Sequence, residues 1–116
     1  MGIENLSDDI ILVALPVETQ VINRELKIVN EIISEKGACD VVIDFSNVDV
    51  VTSSGISNLM IMRELLREHN RQLILCSVSP STMGVFTIAG LEEIFEFVDD
   101  KQAALEAIQQ AKQPAS

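Results

Sequence analysis

The stretch "DVVIDFSNVDVVTSSGISNLM", Asp40 to Met60, decides the fold. Its first six residues, Asp40 to Phe45, form a short and nearly continuous apolar run, which is typical of a strand buried on both faces of a sheet. Three hydroxyl residues and a glycine follow. Beyond them, apolar residues recur at the helical period, and we expect this helix to run to about Asn70. A buried strand that leads through a hydroxyl-rich turn into a helix indicates an α/β domain.

The residues before this stretch predict one strand and one helix. "DDIILVALP" is a run of branched apolar residues that Pro16 stops, as expected of a strand. Thr19 can cap the helix that follows, and Gly37 is its expected end. Both elements precede the strand at Asp40, so the chain already alternates between strand and helix.

The residues after this stretch continue the alternation. "QLILCSV" repeats the buried-strand pattern, and Ser79 followed by Pro80 is a strong local signal for the start of a third helix. "IFEFV" predicts another strand, and Asp99 or Asp100 starts a last helix. We therefore expect a single small α/β domain over residues 1–116, with a mostly parallel sheet of four to five strands and about four helices. Its core is expected to cover residues 8–110, and the tail 111–116 to be frayed.

Composition narrows the possible partners. Eighteen acidic against eight basic residues give a net charge of -10, which repels the phosphates of nucleic acids and of anionic lipids. No apolar run approaches the roughly 18 residues that span a bilayer, and the first residues do not form a secretory signal. We expect a cytoplasmic protein with no nucleic-acid partner and no membrane insertion. The charge suits a basic protein partner, although solubility alone also accounts for it.

Catalytic and metal-binding chemistry find little support. A catalytic serine needs a base, and His69, the one histidine, lies about 24 Å along the same helix from Ser53. The nucleophile elbow and the glycine-rich loops for phosphate or dinucleotide are absent from the sequence. Cys39 and Cys76 are far apart, and Asp44 with Asp49 makes only a weak cation site. We expect no enzyme activity, no cofactor and no metal.

Two other roles for the hydroxyl stretch stay open. Thr52 or Ser53 can cap the second helix, and a hydroxyl at a helix start can also carry a phosphate, because the free N–H groups there tolerate negative charge. Met60 and Ile61 lie outside the helical arc that should face the sheet. They either touch a neighbouring helix or form an exposed apolar patch suited to a protein partner.

The chain also resembles a known family. "DFSNV", "SSG", "LILCSVSP" and "VFTIAGLEEIF", in this order and spacing, resemble the STAS domain of anti-sigma factor antagonists. The resemblance implies a small α/β domain that binds an anti-sigma factor with serine-kinase activity and so releases a sigma factor. It implies phosphorylation at Ser53, with Ser54 and Gly55 completing the motif, and resetting by a PP2C-type phosphatase.

One position departs from the family's pattern. Thr52 stands where an aspartate is usual, so the turn lacks a charge, and Thr52 and Ser54 remain less favoured acceptors than Ser53. STAS domains also serve in stress-signalling and lipid-transport complexes, so a scaffold that does not depend on phosphorylation is the alternative function. The expected partner-binding residues are Thr52, Ser54, Gly55, Ile56, Met60 and Ile61.

Overall fold

The computed structural model describes residues 2–7, 9–36 and 39–112. Gly37, the expected end of the first helix, and residues 113–116 of the expected frayed tail lie outside this range. The described elements are β1 (Gly2–Ser7), β2 (Ile10–Ala14), α1 (Thr19–Lys36), β3 (Asp40–Asp44), α2 (Ser53–Glu68), β4 (Leu73–Cys76), α3 (Pro80–Ile88), β5 (Glu96–Val98) and α4 (Lys101–Lys112).

The five strands form one mixed sheet in the order β1-β2-β3-β4-β5. β1 pairs antiparallel with β2, and the other neighbours pair in parallel. Each parallel connection passes through at least one helix, as parallel strands require. The predicted fold class, a small and mostly parallel α/β domain, is therefore confirmed.

The strand β1 was not anticipated as an element. Its sequence carries only two large apolar side chains, Ile3 and Leu6, and both are only partly buried. As an edge strand it has a neighbour on one side only, and polar residues are common in such strands. The local sequence of β1 therefore shows no apolar strand pattern. The segment is a strand because it pairs with β2.

Helices cover both faces of the sheet. On one face α1, α2 and α3 bury a large apolar cluster, and on the other α4 packs through Ala104 and Ile108. Successive side chains of β2 point to opposite faces of the sheet. Ile11 and Val13 belong to the first apolar cluster, and Leu12 belongs to the second. Burial on both faces explains why these strands are nearly continuous apolar runs.

Local capping signals set several helix starts. The Ser79 hydroxyl accepts a hydrogen bond from the Thr82 N–H at 3.2 Å, and the Asp100 carboxylate accepts one from the Ala103 N–H at 2.8 Å, as expected from the sequence. The start of α1 differs by one residue. Thr19 is already helical, and the Ile22 N–H donates to the backbone oxygen of Glu18, so Glu18 rather than Thr19 holds the cap position.

The last strand is shorter than its apolar run suggested. The Ile94 N–H donates to the Leu91 carbonyl at 3.1 Å, which closes a turn over the first residues of "IFEFV". Only Glu96–Val98 pair with β4. The apolar side chain of Phe95 is buried even so, which is why its residue type resembled that of a strand.

The opposite end of the sheet carries a charged contact that we call the Arg71 clamp. The Arg71 guanidinium lies 3.3 Å from a carboxylate oxygen of Asp9 and 3.3 Å from one of Asp40, and it donates to the Asp9 carbonyl at 3.0 Å. The Gln72 N–H donates to the Asp40 carboxylate at 2.8 Å. The clamp therefore joins residues at the beginnings of β2, β3 and β4.

Candidate functional site

The loop between β3 and α2 holds the start of α2 at the carboxyl edge of the sheet. The Asp44 carboxylate accepts a hydrogen bond from the Ser46 N–H at 2.9 Å, and the Phe45 N–H donates to the Cys76 carbonyl at 3.0 Å. Phe45 and Val48 are buried, so the loop is anchored in the core. Sites in open α/β sheets collect at this edge, where strand ends meet helix starts.

Thr52, one of the two cap candidates in the sequence, is the cap of α2. Its backbone is extended, with φ -91° and ψ 165°, and its hydroxyl oxygen accepts a hydrogen bond from the Gly55 N–H at 3.2 Å. A cap of this kind stabilises a helix by about 1 kcal/mol. The side-chain amide nitrogen of Asn23 on α1 lies 3.4 Å from the same oxygen. Thr52 therefore joins the two helices, and its oxygen is already engaged.

Gly55 marks the closest approach of the two helices at this end. It is buried, and a Cβ added there would lie 3.2 Å from the side-chain oxygen of Asn23. Such a contact is tight, so a side chain at this position would push Asn23 away from Thr52. Gly55 thus keeps α1 against the first turn of α2.

Ser53 and Ser54 occupy the first turn of α2, and both are exposed. Within the described part of the chain, neither hydroxyl forms a hydrogen bond. The N–H groups of a first helical turn have no partner within the helix, so they favour a negative charge nearby. Both serines line an open groove of about 500 Å³ between α1 and α2, which we call the serine groove. Its lining residues are Asn23, Lys27, Ser53, Ser54, Ser57 and Asn58.

The three apolar residues of the expected binding set point in different directions. Ile56 is partly buried, and Met60 is partly buried and packs against the main core cluster. Ile61 is 51% exposed and lines a second groove of about 390 Å³ farther along α1 and α2, together with Leu65. Met60 and Ile61 therefore do not form one continuous patch.

Four residues of the serine groove were missed from the sequence. Ser57 lies one turn after Ser53, and the i,i+4 spacing that places both on one helix face was the available signal. Asn58 follows Ser57 in the same turn. Asn23 and Lys27 belong to α1, and only the packing of α1 against α2 brings them to the groove. Nothing in their local sequence indicates this.

The remaining reactive side chains lie elsewhere. His69 follows the last residue of α2, where its ring nitrogen Nδ1 lies 2.9 Å from the Leu65 carbonyl. Cys76 is buried, and this burial, with a smaller effect from Asp44, raises the pKa of its thiol to about 11. Over residues 2–7, 9–36 and 39–112, no three His, Cys, Asp or Glu side chains gather as metal ligands. No helix in that part of the chain has the length and apolar character needed to cross a membrane.

Comparison with known proteins identifies the family. The STAS domain profile matches residues 10–104, which is most of the chain. The chain belongs to the STAS domain family. The resemblance stated from the sequence is thereby confirmed, and the hydroxyl turn at Thr52 lies inside the matched region. Anti-sigma factor antagonists of the STAS family are binding modules rather than enzymes.

One relative of this STAS domain carries the name of an anti-sigma factor antagonist. A Bordetella bronchiseptica protein, named as the anti-sigma factor antagonist BtrV, is 31% identical over 77 residues. The match covers 66% of this chain and 66% of that protein, so it spans slightly less than two thirds of the curated relative's length.

Solved structures share the fold at lower identity. A serine-to-glutamate variant of RsbS from Moorella thermoacetica superposes with a TM-score of 0.81 at 20% identity, over 95% of each chain. The phosphorylated form of the Bacillus cell fate determinant SpoIIAA gives a TM-score of 0.71 at 18% identity, over 96% of this chain and 98% of that one. These likenesses establish the architecture of the domain.

Proposed function

We propose that this STAS domain is a phosphorylation-switched binding module. It binds an anti-sigma factor that is also a serine kinase, and the sigma factor held by that protein is released. Ser53 is the phosphoacceptor, and a PP2C-type phosphatase resets it. The observation that carries the proposal is the exposure of Ser53 beside Thr52, whose own oxygen is engaged in the cap.

The position of Ser53 suits a switch. A phosphate adds nearly two negative charges at the start of α2, where unbonded N–H groups and the helix dipole favour them. The fold therefore tolerates both forms. The same charge opposes an apolar or acidic partner surface, because the phosphate loses water on contact without gaining a cation. Binding changes while folding does not.

The binding surface surrounds this turn. We assign it to Thr52, Ser54 and the partly exposed Ile56, with the buried Gly55 shaping the turn beneath them. Ile61 and the accessible part of Met60 are separate contacts farther along α2. The net charge of -10 favours basic residues on the kinase outside its contact with this turn, and these residues accelerate encounter at low salt. The name of the Bordetella relative, an anti-sigma factor antagonist, supports this choice of partner.

The test begins with the serine kinase recovered from the native cell by pull-down. Purified domain, kinase and ATP are mixed, and the phosphorylated residue is identified by mass spectrometry. Wild type and the matched control Ser54→Ala gain one phosphate, whereas Ser53→Ala gains none. Phosphate gain by Ser53→Ala would contradict the assignment and direct attention to Thr52 or Ser54.

The same variants separate a switch from a scaffold. Ser53→Asp weakens kinase binding at least tenfold, or about 1.4 kcal/mol, whereas the neutral Ser53→Asn binds nearly as well as wild type. The melting temperatures of both variants stay close to that of wild type. Equal affinity for wild type, Ser53→Ala and Ser53→Asp would instead support a scaffold in a stress-signalling or lipid-transport complex that does not depend on phosphorylation.

A further inference from the structure

The helices α1 and α2 are parallel along the serine groove, and residues at similar distances from their N-terminal ends face each other. The Asn23 side-chain amide lies 3.4 Å from the Thr52 hydroxyl oxygen, and the Asn30 amide donates to the Asn58 carbonyl at 3.1 Å. These contacts are separated by seven residues on α1 and six on α2, or about 10 Å and 9 Å at the helical rise. Lys27 lies between the two asparagines, so it is level with the first turns of α2.

The side chain of Lys27 has the right direction to reach the start of α2. Helical side chains lean back toward the N-terminus of their own helix. Because α1 is parallel to α2, Lys27 leans toward the level of Ser53 and Ser54 rather than away from it. Lys27 lines the serine groove, as this direction requires, and it also borders the second groove farther along the two helices.

Lys27 is also the charged member of the serine groove. The other lining residues are serines and asparagines, and Lys27 has no carboxylate within 4.0 Å in the described part of the chain. The nearest acid along its own helix face is Glu31, one turn later, and both residues line the second groove without forming an ion pair within 4.0 Å. Lysine followed by glutamate is the weaker order for such a helical pair. The ammonium is therefore available to another anion.

We propose that Lys27 is the intramolecular partner of the phosphate on Ser53. The Ser53 oxygen forms a bond to the γ-phosphorus of ATP, ADP leaves, the hydroxyl proton is released, and the new phosphate pairs with the Lys27 ammonium across the serine groove. The phosphate is then held between the first turn of α2 and α1. This inference rests on the proposed function only in taking Ser53 as the acceptor.

The pairing gives the phosphorylated form its own structure. A phosphate held by Lys27 bridges α1 and α2 and closes the serine groove, whereas the unmodified serine leaves it open. Lys27 is a positioning residue in this arrangement, because it orients the phosphate and takes no part in its transfer. A partner that contacts the groove would therefore meet a changed shape as well as a changed charge.

The test uses domain in which phosphoserine is incorporated at position 53 during translation, so no kinase is needed. Phosphorus-31 NMR titration gives the pKa of the second phosphate ionisation. In wild type this pKa is lower by about half a unit than in Lys27→Gln, the effect of a surface ion pair. Lys27→Arg keeps the low pKa. Arg67→Gln, whose side chain lies about 21 Å along α2 from Ser53, also keeps it.

Melting temperatures provide the second readout. The shift in melting temperature on phosphorylation is measured in wild type and in Lys27→Gln. The two shifts differ at low salt, and they become more similar in 0.5 M salt because salt screens the ion pair. The unmodified Lys27→Gln domain serves as the check on folding. An identical phosphate pKa in wild type, Lys27→Gln and Arg67→Gln would overturn the pairing and leave the kinase assignment standing. A kinase that ignores Ser53 would overturn the proposed function, whereas a lower phosphate pKa in wild type than in Lys27→Gln would still show that Lys27 pairs with a phosphate at position 53.

Discussion

Glu25 is a buried carboxyl group on α1. Its residue is 1% exposed on the core side of α1, and neither carboxylate oxygen has a hydrogen-bond partner among the described residues. Loss of water raises the pKa of this group above its ordinary value of 4.5. At neutral pH the ionised form therefore destabilises the fold, and the cost is removed when a proton is bound.

We predict that Glu25→Gln is more stable than wild type at pH 7. The folded state holds the Glu25 proton at pH values where the unfolded chain has lost it, so wild-type stability falls as pH rises above 4.5 through the raised pKa. Glutamine keeps the shape and carries no charge. The free energy of unfolding of each protein is measured by urea unfolding at several pH values. The values for wild type and Glu25→Gln should be similar near pH 4.5 and should differ increasingly above it.

The exposed Glu31 on the same helix is the matched control for this prediction. Glu31→Gln should change the free energy of unfolding by less than about 0.5 kcal/mol at every pH, as for most surface substitutions. A wild type that equals or exceeds Glu25→Gln in stability at pH 7 would show that Glu25 has a compensating partner.

Single residues were predictable where the signal was local. Ser79 caps its helix as predicted, and Thr52 and Asp100 are each one of two neighbouring candidates, because a cap depends on its own next three residues. The serine groove was not predictable in the same way. Lys27 and Ser57 meet only when two helices pack in a particular register, and an amino-acid pattern within one helix does not specify that register.

At the scale of elements, α3 depends on one side chain. Much of the helix surface is exposed, but Phe86 is fully buried. Its ring lies edge-on to those of Phe45, Phe95 and Phe97, with ring centres 6.4, 5.7 and 5.2 Å away. Such pairs add about 0.5 to 1.5 kcal/mol each beyond the area they bury. Phe86 therefore fastens α3 and β5 to the core together.

We predict that Phe86→Ala lowers the free energy of unfolding by about 3 to 5 kcal/mol. This is a large part of the 5 to 15 kcal/mol typical of a domain. Val85→Ala, at the neighbouring position that is 38% exposed, should cost less than about 1 kcal/mol. Urea unfolding followed by circular dichroism measures both. Similar losses for the two variants would mean that Phe86 does not anchor α3.

Elements differed in how far the sequence predicted them. The strands β2, β3 and β4 are buried on both faces, so their apolar runs are continuous and were recognised. β1 lies at an edge, where its two large apolar side chains, Ile3 and Leu6, are only partly buried, and β5 is shortened by the turn at Leu91. Edge strands are shaped by their neighbours more than by their own residues, which is why both were the least predictable.

At the scale of the whole molecule, charge opposes compactness. Ten net negative charges lie on a domain whose radius of gyration is 13.3 Å, close to the 10 Å screening length of 0.1 M salt. The folded state therefore repels itself at low ionic strength more than the expanded unfolded chain does.

We predict that the melting temperature at pH 7 rises by a few degrees between 10 mM and 500 mM sodium chloride, because salt screens this repulsion. The same titration near pH 4.3, where the net charge is close to zero, is the control and should show little rise. Differential scanning calorimetry measures both. A falling melting temperature at pH 7 would mean that screened ion pairs, such as those of Arg71, outweigh the net repulsion.

The Arg71 clamp bears on how the strands find their alignment. β3 carries similar branched residues on both faces, so its apolar pattern alone distinguishes poorly between neighbouring registers. A slip of one residue would place Val41 where Asp40 now meets Arg71 and would turn the carboxylate to the opposite face. The misaligned sheet would keep most of its apolar burial but lose one of the two carboxylate partners of a largely buried guanidinium. The ion pairs of Arg71 thus favour the observed register of β3 over a shifted register that buries a similar apolar area.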